Sequence, residues 1–456
     1  MSFTSSYFLL FLAVLAVLYY LPLRRLQWQL LLAASFFYYA FSGIINLAYI
    51  SATIVTTFIA TLIMDRLRTA EGRSKKQIKS RRRAVMLVCL AVNIGGLAVF
   101  KYAPLRFPLG ISFYTLQTMG YLLDCYRAKN AEFTERNPFR LALFTSFFPQ
   151  LIMGPISRFS DLKKTLYGGH RFNADSFLDG FLRIAFGMFK KLVIADRLSP
   201  VMKTNPALAV FLYAIVLYCD FTGGIDIALG VAKIFGIELA ENFNAPFFST
   251  SIADYWRRWH ITMGAWFRDY IFYPLSISKP MRKLTMRLKE KAGDGAAKRI
   301  PVYIATIVTW FLTGIWHGSQ WNYIVWGLAN GVIIMLSQEC ESLYKRFRAK
   351  HERLTASKPY AAFAVIRTFV LMSLLRGFDL FSYPAQTAKL NAANIVIVAA
   401  GVLLLAAIGF WRHSHKDAKP SAAWRITAAC ALIAAVLVFG AYGLGYDASG
   451  FIYTQF

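Results

Sequence analysis

The sequence predicts an all-α polytopic membrane protein, on three observations. Of its 456 residues, 57% are hydrophobic and only 16% are charged, whereas soluble chains are about a quarter charged. Apolar runs long enough to cross a bilayer recur from one end of the chain to the other. Between them, basic residues gather in short tracts, as in cytoplasmic loops that obey the positive-inside rule.

The N-terminal region contains four predicted spans, at residues 6–23, 27–42, 44–64 and 84–100. The first is not a secretory signal, because no basic residue precedes it and Arg24 and Arg25 follow it in place of a small-residue cleavage site. These arginines and the basic tract 65–83 are expected inside the cell, which puts the N-terminus outside.

Proline, glycine and polar residues interrupt the apolar segments in the middle of the chain, most clearly at 108–127 and 137–158. Such segments are tolerated at membrane depth only where protein or a water-filled cavity covers them. They therefore predict re-entrant or half-buried helices that line an interior. Residues 175–200 are amphipathic and are expected at the membrane interface.

The C-terminal part contains five more predicted spans, at residues 301–317, 321–339, 360–378, 393–411 and 424–442. The basic tracts 279–299, 345–358 and 412–425 are expected to be cytoplasmic loops. The last span would then deliver the C-terminus to the outside.

No internal repeat or low-complexity segment divides the chain, so one membrane domain is expected over residues 1–456. Its predicted parts are N-terminal spans (about 1–100), a motif-bearing core (101–345) and C-terminal spans with a tyrosine-containing tail (346–456).

The net charge of +28 would suggest nucleic acid in a soluble protein. No aromatic-interleaved basic patch and no known nucleic-acid module is present, so the lipid bilayer is the expected partner of these charges. The five cysteines show no CxxC or Cys/His pairing, which indicates neither a disulfide framework nor a metal site.

Residues 254–270, "DYWRRWHITMGAWFRDY", combine arginines, tryptophans and one histidine. As a single helix, this segment has one face made up of Trp256, Trp259, His260, Met263 and Phe267. One interpretation is an interfacial helix whose arginines reach the lipid headgroups. The other is the wall of a cytoplasm-facing pocket, in which Arg257 and Arg258 bind an anionic donor such as a coenzyme pyrophosphate.

A second histidine, His317, lies in the apolar stretch "FLTGIWHGSQWNYIVWG" at 311–327, between Trp316 and Trp321. Ionisable groups within a membrane are costly and usually face a cavity or a partner. The residue is either a buried structural histidine or a general base, for which an imidazole is well suited at neutral pH. No GxSxG elbow or P-loop is present, and no acidic residue lies near enough in sequence to suggest a triad.

Two aspartates, Asp220 and Asp226, occur in the apolar motif "DFTGGIDIALG" at 220–230. Each must be paired or face the interior. A buried ion pair with an arginine is one interpretation, and a place along a substrate path is the other.

These motifs together resemble the membrane-bound O-acyltransferase (MBOAT) superfamily, in its bacterial branch of alginate O-acetylation and teichoic-acid D-alanylation membrane subunits. The matching stretches are 148–158, 220–230, 242–275 and 314–331. The resemblance covers most of the chain and is weakest beyond about residue 345. The stretch "WFRDYIFYPL" is more similar to the alginate type.

The resemblance implies an MBOAT-like multi-helix bundle around a transmembrane tunnel, with the acyl donor entering from the cytoplasm. His317 matches the family's invariant histidine and His260 its second motif histidine, while Asn242 and Asn244 fall in an asparagine-containing motif. His317 would be the general base and His260 a hydrogen-bonding or positioning residue. Hydrophobic walls such as Trp316 would exclude water, so that a thioester meets an acceptor hydroxyl without hydrolysis.

The expected function is a multi-pass O-acetyltransferase of the bacterial cell membrane, which moves acetyl from acetyl-CoA towards an extracytoplasmic polysaccharide. It would have no tightly bound cofactor, and an extracytoplasmic SGNH-type acyltransferase subunit would complete the transfer. One alternative is D-alanyl transfer to teichoic acid from a carrier-protein thioester. The other is a transporter, which interrupted helices would allow but for which no repeat symmetry is visible.

The final residues, "FIYTQF", place Tyr453 among aromatic residues at the expected outer surface. Tyr453 is either an ordinary interfacial anchor or a transient O-acyl carrier. A phenol with a pKa near 10 needs an activating base, and His317 would supply it.

Overall fold

A computed structural model describes residues 1–103, 107–129, 131–202, 206–380, 392–414, 420–443 and 450–451. Over these residues the secondary structure is almost entirely helical, and no β-strand occurs in them. The all-α prediction is confirmed.

Twenty-one α-helices lie in the described ranges. They are α1 (Ser6–Tyr20), α2 (Gln27–Ala40), α3 (Ile44–Arg68), α4 (Lys75–Tyr102), α5 (Ile111–Arg127), α6 (Pro138–Ser146), α7 (Phe148–Leu151), α8 (Phe159–Leu166), α9 (Ala174–Met188), α10 (Asp196–Leu198), α11 (Pro206–Ile234), α12 (Ile252–Arg258), α13 (Ile261–Phe267), α14 (Tyr273–Ser276), α15 (Lys279–His317), α16 (Trp321–Glu339), α17 (Glu341–Lys350), α18 (Glu352–Thr355), α19 (Lys358–Leu380), α20 (Ala392–Ser414) and α21 (Ala422–Phe439). Two π-helical segments, Phe189–Ala195 and Arg268–Phe272, join α9 to α10 and α13 to α14.

Within the described residues, six helices are long and apolar enough to cross a membrane, and one bent helix pair adds a possible seventh crossing. The six are α3, α4, α11, α15, α19 and α21. The protein is a multi-pass membrane protein, as the recurring apolar runs predicted.

The first two predicted spans form a bent pair. Helices α1 and α2 contain 15 and 14 residues, and at 1.5 Å per residue each covers only about 22 Å of a roughly 30 Å hydrocarbon core. The segments Ser6–Tyr20 and Arg24–Ala40 meet at 102°. Neither is long enough to cross by itself, so two separate crossings are replaced by a broken span or a re-entrant pair, and the orientation of the N-terminus stays a prediction.

The basic tract 279–299, expected to be a loop, is instead the first part of the 39-residue helix α15. Lysine, arginine, leucine and methionine are good helix formers, and the Ser278 side chain caps the helix by accepting from the Met281 N–H at 3.4 Å. Helical geometry is interrupted only at Gly293, where φ is 80°. The tract 65–83 is likewise mostly helical, because α3 ends at Arg68 and α4 begins behind a Ser74–Gln77 capping box.

The chain divides into two compact units. The first comprises Met1–Arg197, Leu217–Ala240 and Ala392–Phe456, and the second comprises Leu198–Val216 and Glu241–Asn391. The two sequence-predicted aspartates belong to the first unit, and both candidate histidines belong to the second. The division of one membrane domain into parts at about 1–100, 101–345 and 346–456 stays a prediction.

Candidate active site

His317 is the last residue of α15, and it is 3% exposed. Its ring centroid lies 5.0 Å from that of Trp316, 4.8 Å from that of Trp326 and 6.5 Å from that of Tyr323. Helices α15 and α16 approach closely because Gly314 of α15 has no side chain to separate it from the backbone of α16. A Cβ on Gly314 would lie 2.6 Å from the Tyr323 carbonyl oxygen. This close approach brings the aromatic rings of α16 against the imidazole.

His260 lies in a sharp backbone turn between α12 and α13. It is fully buried, and its φ of 46° is in the left-handed region that residues with a side chain rarely adopt. The predicted single helix over 254–270 is therefore wrong: it breaks at Trp259 and His260 and restarts at Ile261.

Asn242 explains the break, since it caps the restarted helix α13 from outside. Its side-chain oxygen accepts from the Thr262 N–H at 3.0 Å and from the Thr262 hydroxyl at 2.9 Å, and its backbone carbonyl accepts from the Ile261 N–H at 2.9 Å. The same Oδ1 lies 3.2 Å from Nδ1 of His260. Because Oδ1 can only accept, Nδ1 of the imidazole carries the proton and the lone pair of a neutral ring is on Nε2.

The charge state of His260 follows from its surroundings. Burial, together with the positive charge of Arg376, lowers the pKa of His260 to about 3. The imidazole is therefore neutral at physiological pH.

Trp316 connects the two histidines. Its ring centroid is 6.5 Å from that of His260 and 5.0 Å from that of His317. Both histidines thus lie close to this tryptophan within the second unit. His317 itself is absent from the described residues that line the neighbouring cavity, whereas His260 is one of them.

That cavity, which we call the His260 cavity, has a volume of about 540 Å³. Aromatic, aliphatic and threonine side chains form its wall, and two arginines contribute positive charge. The residues that matter for chemistry are Trp256, Arg257, Trp259, His260, Arg268, Thr306, Thr309, Trp310, Thr313 and Gln338.

The two neighbouring arginines of α12 have different surroundings. The Arg257 side chain is 70% exposed and lines the His260 cavity, and its ion pair with Asp254 is long, at 3.5 Å. Arg258 is 21% exposed and makes a closer ion pair with Asp254, from Nε to Oδ2 at 3.0 Å. Asn244 is exposed, and its backbone N–H donates to the Arg258 carbonyl at 2.9 Å. Of these candidates, Arg257 is the one placed to bind an anion in the cavity.

A buried ion pair that sequence reasoning missed lies close to His260 and to Trp326, a ring neighbour of His317. Nη1 of Arg376 donates to Oδ2 of Asp379 at 2.9 Å, and both residues are buried. The guanidinium carbon lies 4.7 Å from the Trp326 ring centroid, 5.0 Å from that of Trp259 and 5.7 Å from that of Trp256. The sequence signal is "SLLRGFDL" at 373–380, an arginine and an aspartate three residues apart at the end of the predicted span 360–378.

The aspartates Asp220 and Asp226 are both ion-paired inside the first unit. Asp220 accepts from the Lys191 ammonium at 2.7 Å, and Asp226 binds Lys190 and also Nε of Arg183, the latter at 3.0 Å. This is the paired interpretation, with lysines as the main partners where an arginine was expected. Neither aspartate joins the histidines in the second unit.

Tyr453 lies outside the described residues. Two residues earlier, Phe451 is buried, with its ring centroid 6.5 Å from that of Phe3. The Lys191 ammonium donates to the Gly450 carbonyl at 2.7 Å and lies 4.5 Å from the Phe451 ring centroid. The chain just before Tyr453 is therefore anchored in the first unit.

The second unit thus offers acid–base chemistry in surroundings from which water is largely excluded. Two imidazoles are buried among tryptophans, one of them on the wall of a cavity. Over the part of the chain that the structure describes, no group of three or more His, Cys, Asp or Glu side chains is arranged to hold a metal ion.

The sequence model of the membrane-bound O-acyltransferase family, MBOAT, matches residues 31–287, which include Asn242 and His260. The chain belongs to this family. It is therefore a membrane-bound O-acyltransferase, which confirms the predicted enzyme class over the transporter alternative.

Curated relatives extend the similarity beyond the matched segment. The probable alginate O-acetylase AlgI of Azotobacter vinelandii is 32% identical, over 74% of this chain and 69% of its own. The peptidoglycan O-acetyltransferase of Helicobacter pylori is 29% identical over 74% and 68%. The teichoic acid D-alanyltransferase of Bacillus subtilis is 30% identical over 60% and 68%.

Proposed function

We propose that this MBOAT enzyme moves an acetyl group from cytoplasmic acetyl-CoA towards a hydroxyl of an extracytoplasmic polysaccharide, with His317 as the general base. The observation that carries the proposal is the burial of His317 among three aromatic rings, next to a tryptophan that also contacts His260. Two of the similar enzymes are named as O-acetylating an alginate and a peptidoglycan, which supports a carbohydrate acceptor.

The chemistry follows from the position of the imidazole. His317 accepts the proton of the acceptor hydroxyl as its oxygen forms the new C–O bond to the acetyl carbon. The C–S bond of the thioester breaks, and the proton passes from His317 to the departing thiolate. The surrounding rings keep water away, so that hydrolysis does not compete.

His260 has a positioning role in this proposal. Its ring is fixed by Asn242 and is neutral, so in this proposal its Nε2 serves as a hydrogen-bond acceptor for the substrate and carries no charge. His260→Ala is expected to reduce the rate less than His317→Ala does. If His260→Ala is the more damaging, the two roles are reversed.

The donor would bind along the arginine-bearing cavities of the second unit. The His260 cavity shares Ala253, Arg257, Ile334 and Gln338 with an adjoining cavity of about 760 Å³, which Arg348 and Arg367 also line. Guanidinium groups are well suited to the phosphates of a coenzyme, and the narrower His260 cavity suits the acyl-bearing arm. Trp256 would stack along that arm at the cavity wall.

D-alanyl transfer to teichoic acid is the second candidate, because one relative of 30% identity carries that name. Its donor would be a carrier-protein thioester instead of free acetyl-CoA. The two functions are separated by supplying one labelled donor at a time.

The remaining parts of the proposal concern the outer face. Both termini would lie outside the bacterial cell membrane, and an extracytoplasmic SGNH-type subunit would finish the transfer to the polymer. Tyr453 would carry the acyl group between the two proteins. Tyr453→Phe removes only the hydroxyl, so wild-type polymer modification by this variant would make Tyr453 an anchor.

The test of the proposed function uses inverted membrane vesicles that contain the enzyme, the extracytoplasmic subunit and polymer, with labelled acetyl-CoA added outside. Wild-type protein should incorporate label, and His317→Ala should lower the rate by a factor of about 100 to 10,000. His351→Ala is the matched control, because His351 is an exposed histidine of the same unit. A folded His317→Ala variant with near-normal incorporation would refute the base assignment.

A further inference from the structure

A basic pocket lies in the first unit, where α3 ends, α4 begins and α5 ends. Its volume is about 390 Å³. Five of its lining side chains are cationic: Arg68, Lys75, Lys79, Arg82 and Arg127. The remaining lining residues are uncharged. We call it the α3–α5 pocket.

The two central arginines of this pocket are held in place by the end of α5. Nη2 of Arg68 and Nη2 of Arg82 both donate to the Cys125 carbonyl at 3.1 Å, and Nη2 of Arg82 donates to the Tyr126 carbonyl at 2.9 Å. The Arg82 guanidinium carbon also lies 5.5 Å from the Tyr126 ring centroid. Carbonyls at a helix C-terminus carry partial negative charge, so they fix these guanidiniums without neutralising them.

The carboxylate beside Arg68, Asp65, does not balance the positive charge of the α3–α5 pocket. Asp65 lies 3.7 Å from Nη1 of Arg68 but is shared with Arg136 at 3.2 Å. Nε of Arg68 and Nε of Arg82 are buried and have no hydrogen-bond partner among the described residues. Buried N–H groups of a cation are costly to leave without an acceptor. The pocket is therefore lined by two guanidiniums that are fixed in place and whose positive charge is only partly balanced.

We propose that the α3–α5 pocket binds a phosphate group, supplied either by the headgroup of an anionic phospholipid or by a soluble phosphate compound. Arginine and lysine clusters are the usual protein partners of phosphate oxygens. The pocket lies at the ends of the candidate spans α3 and α4, and the positive-inside rule assigns this end to the cytoplasmic leaflet, where anionic headgroups are at hand. This site is independent of the acyl-transfer proposal.

The binding test compares two double variants of equal charge change. Lys75→Gln/Lys79→Gln removes two exposed lysines from the pocket lining, so the fold is expected to persist. Lys76→Gln/Arg83→Gln is the matched control, with exposed cations from the same helix outside the lining. Each protein is purified in neutral detergent, and binding of phosphatidylglycerol, phosphatidylcholine and inorganic phosphate is titrated by native mass spectrometry.

Wild-type protein is expected to bind phosphatidylglycerol in preference to phosphatidylcholine, and the pocket variant to bind it about 30-fold more weakly. The control variant should bind like wild type. Arg82→Gln removes one of the buried donors and should weaken binding as well; if it fails to fold, the lysine pair still carries the test.

The arms of the experiment separate the two sources of phosphate. Lysine-dependent binding of phosphatidylglycerol identifies a lipid headgroup site. Lysine-dependent binding of inorganic phosphate without lipid selectivity identifies a site for a soluble phosphate compound. Binding of neither probe, or equal losses in the pocket and control variants, overturns the proposal.

Discussion

The two units of this enzyme contain buried ionisable clusters of opposite character. In the first unit, Lys190 and Lys191 are each neutralised by carboxylates, including Asp226 and Asp220. In the second, His260 and His317 are surrounded mainly by tryptophan rings, and a cavity adjoins the former. Burial of charge is costly in both. The first cluster offsets that cost with opposite charges, whereas in the second cluster the imidazole of His260 avoids it by being neutral.

This difference supports the proposed division of roles, in which the lysine–aspartate cluster is structural and the histidine cluster is catalytic. A carboxylate paired with two cations is poorly suited to bind a substrate, because its hydrogen-bonding capacity is already used. A neutral imidazole among apolar rings contributes little to stability, so its presence is better explained by chemistry. Variants that break one cluster should therefore change stability, and variants that break the other should change rate.

The largest effect on stability is expected for Asp226→Asn, which leaves Lys190 and Arg183 without their shared carboxylate. Removing one partner of a buried ion pair typically costs about 3–5 kcal/mol of unfolding free energy. Thermal unfolding in detergent measures the loss. If Asp226→Asn keeps wild-type stability and instead lowers acetyl transfer, Asp226 belongs to a substrate path after all.

A smaller loss, about 2–3 kcal/mol, is expected for Asp379→Asn. This change leaves Arg376 buried without its carboxylate, but three tryptophan rings still face the guanidinium and retain part of its stabilisation. Unfolding temperature and transfer rate are both measured. Because Trp256 and Trp259 line the His260 cavity, transfer should also fall in the folded fraction; an unchanged rate would make the pair purely structural.

The smallest effect concerns pH. The pKa of His260 is about 3 in the folded protein and near 6.5 in an unfolded chain. The unfolded state therefore binds a proton below pH 6.5 that the folded state does not, and stability decreases as pH falls. Between pH 6.5 and 5 the loss is about 2 kcal/mol.

The matched control for this pH effect is His260→Gln, which has no titrating group at that position. Its unfolding temperature should depend less on pH over this range than that of the wild type. Identical pH dependence in the two proteins would show that His260 has the same pKa in the folded and unfolded states, and would contradict its lowered pKa.

The sequence indicated the burial of His317, because an ionisable residue in an apolar run needs a partner or a cavity; its catalytic role stays a prediction. It did not predict the break at His260, since the cap that starts the second helix, α13, comes from Asn242, a residue distant in sequence. The bend between α1 and α2 was not predicted for a related reason. Hydropathy measures the length of an apolar run and does not detect a turn between Tyr20 and Arg24.

The sequence does contain a signal for the Arg376–Asp379 pair. Like His317, an arginine and an aspartate in an apolar run must pair or face a cavity. The pair lies in the part of the chain where the family resemblance is weakest, so no motif drew attention to it.

The functional difference between the two clusters is tested most directly by measuring labelled-acetyl transfer and unfolding temperature side by side in His317→Gln and Asp226→Asn. We expect His317→Gln to unfold at the wild-type temperature and to transfer acetyl about 100 to 10,000 times more slowly. Asp226→Asn should unfold at a lower temperature, while its folded fraction transfers acetyl at a rate close to wild type. A stable and fully active His317→Gln enzyme would contradict the assignment of the catalytic base.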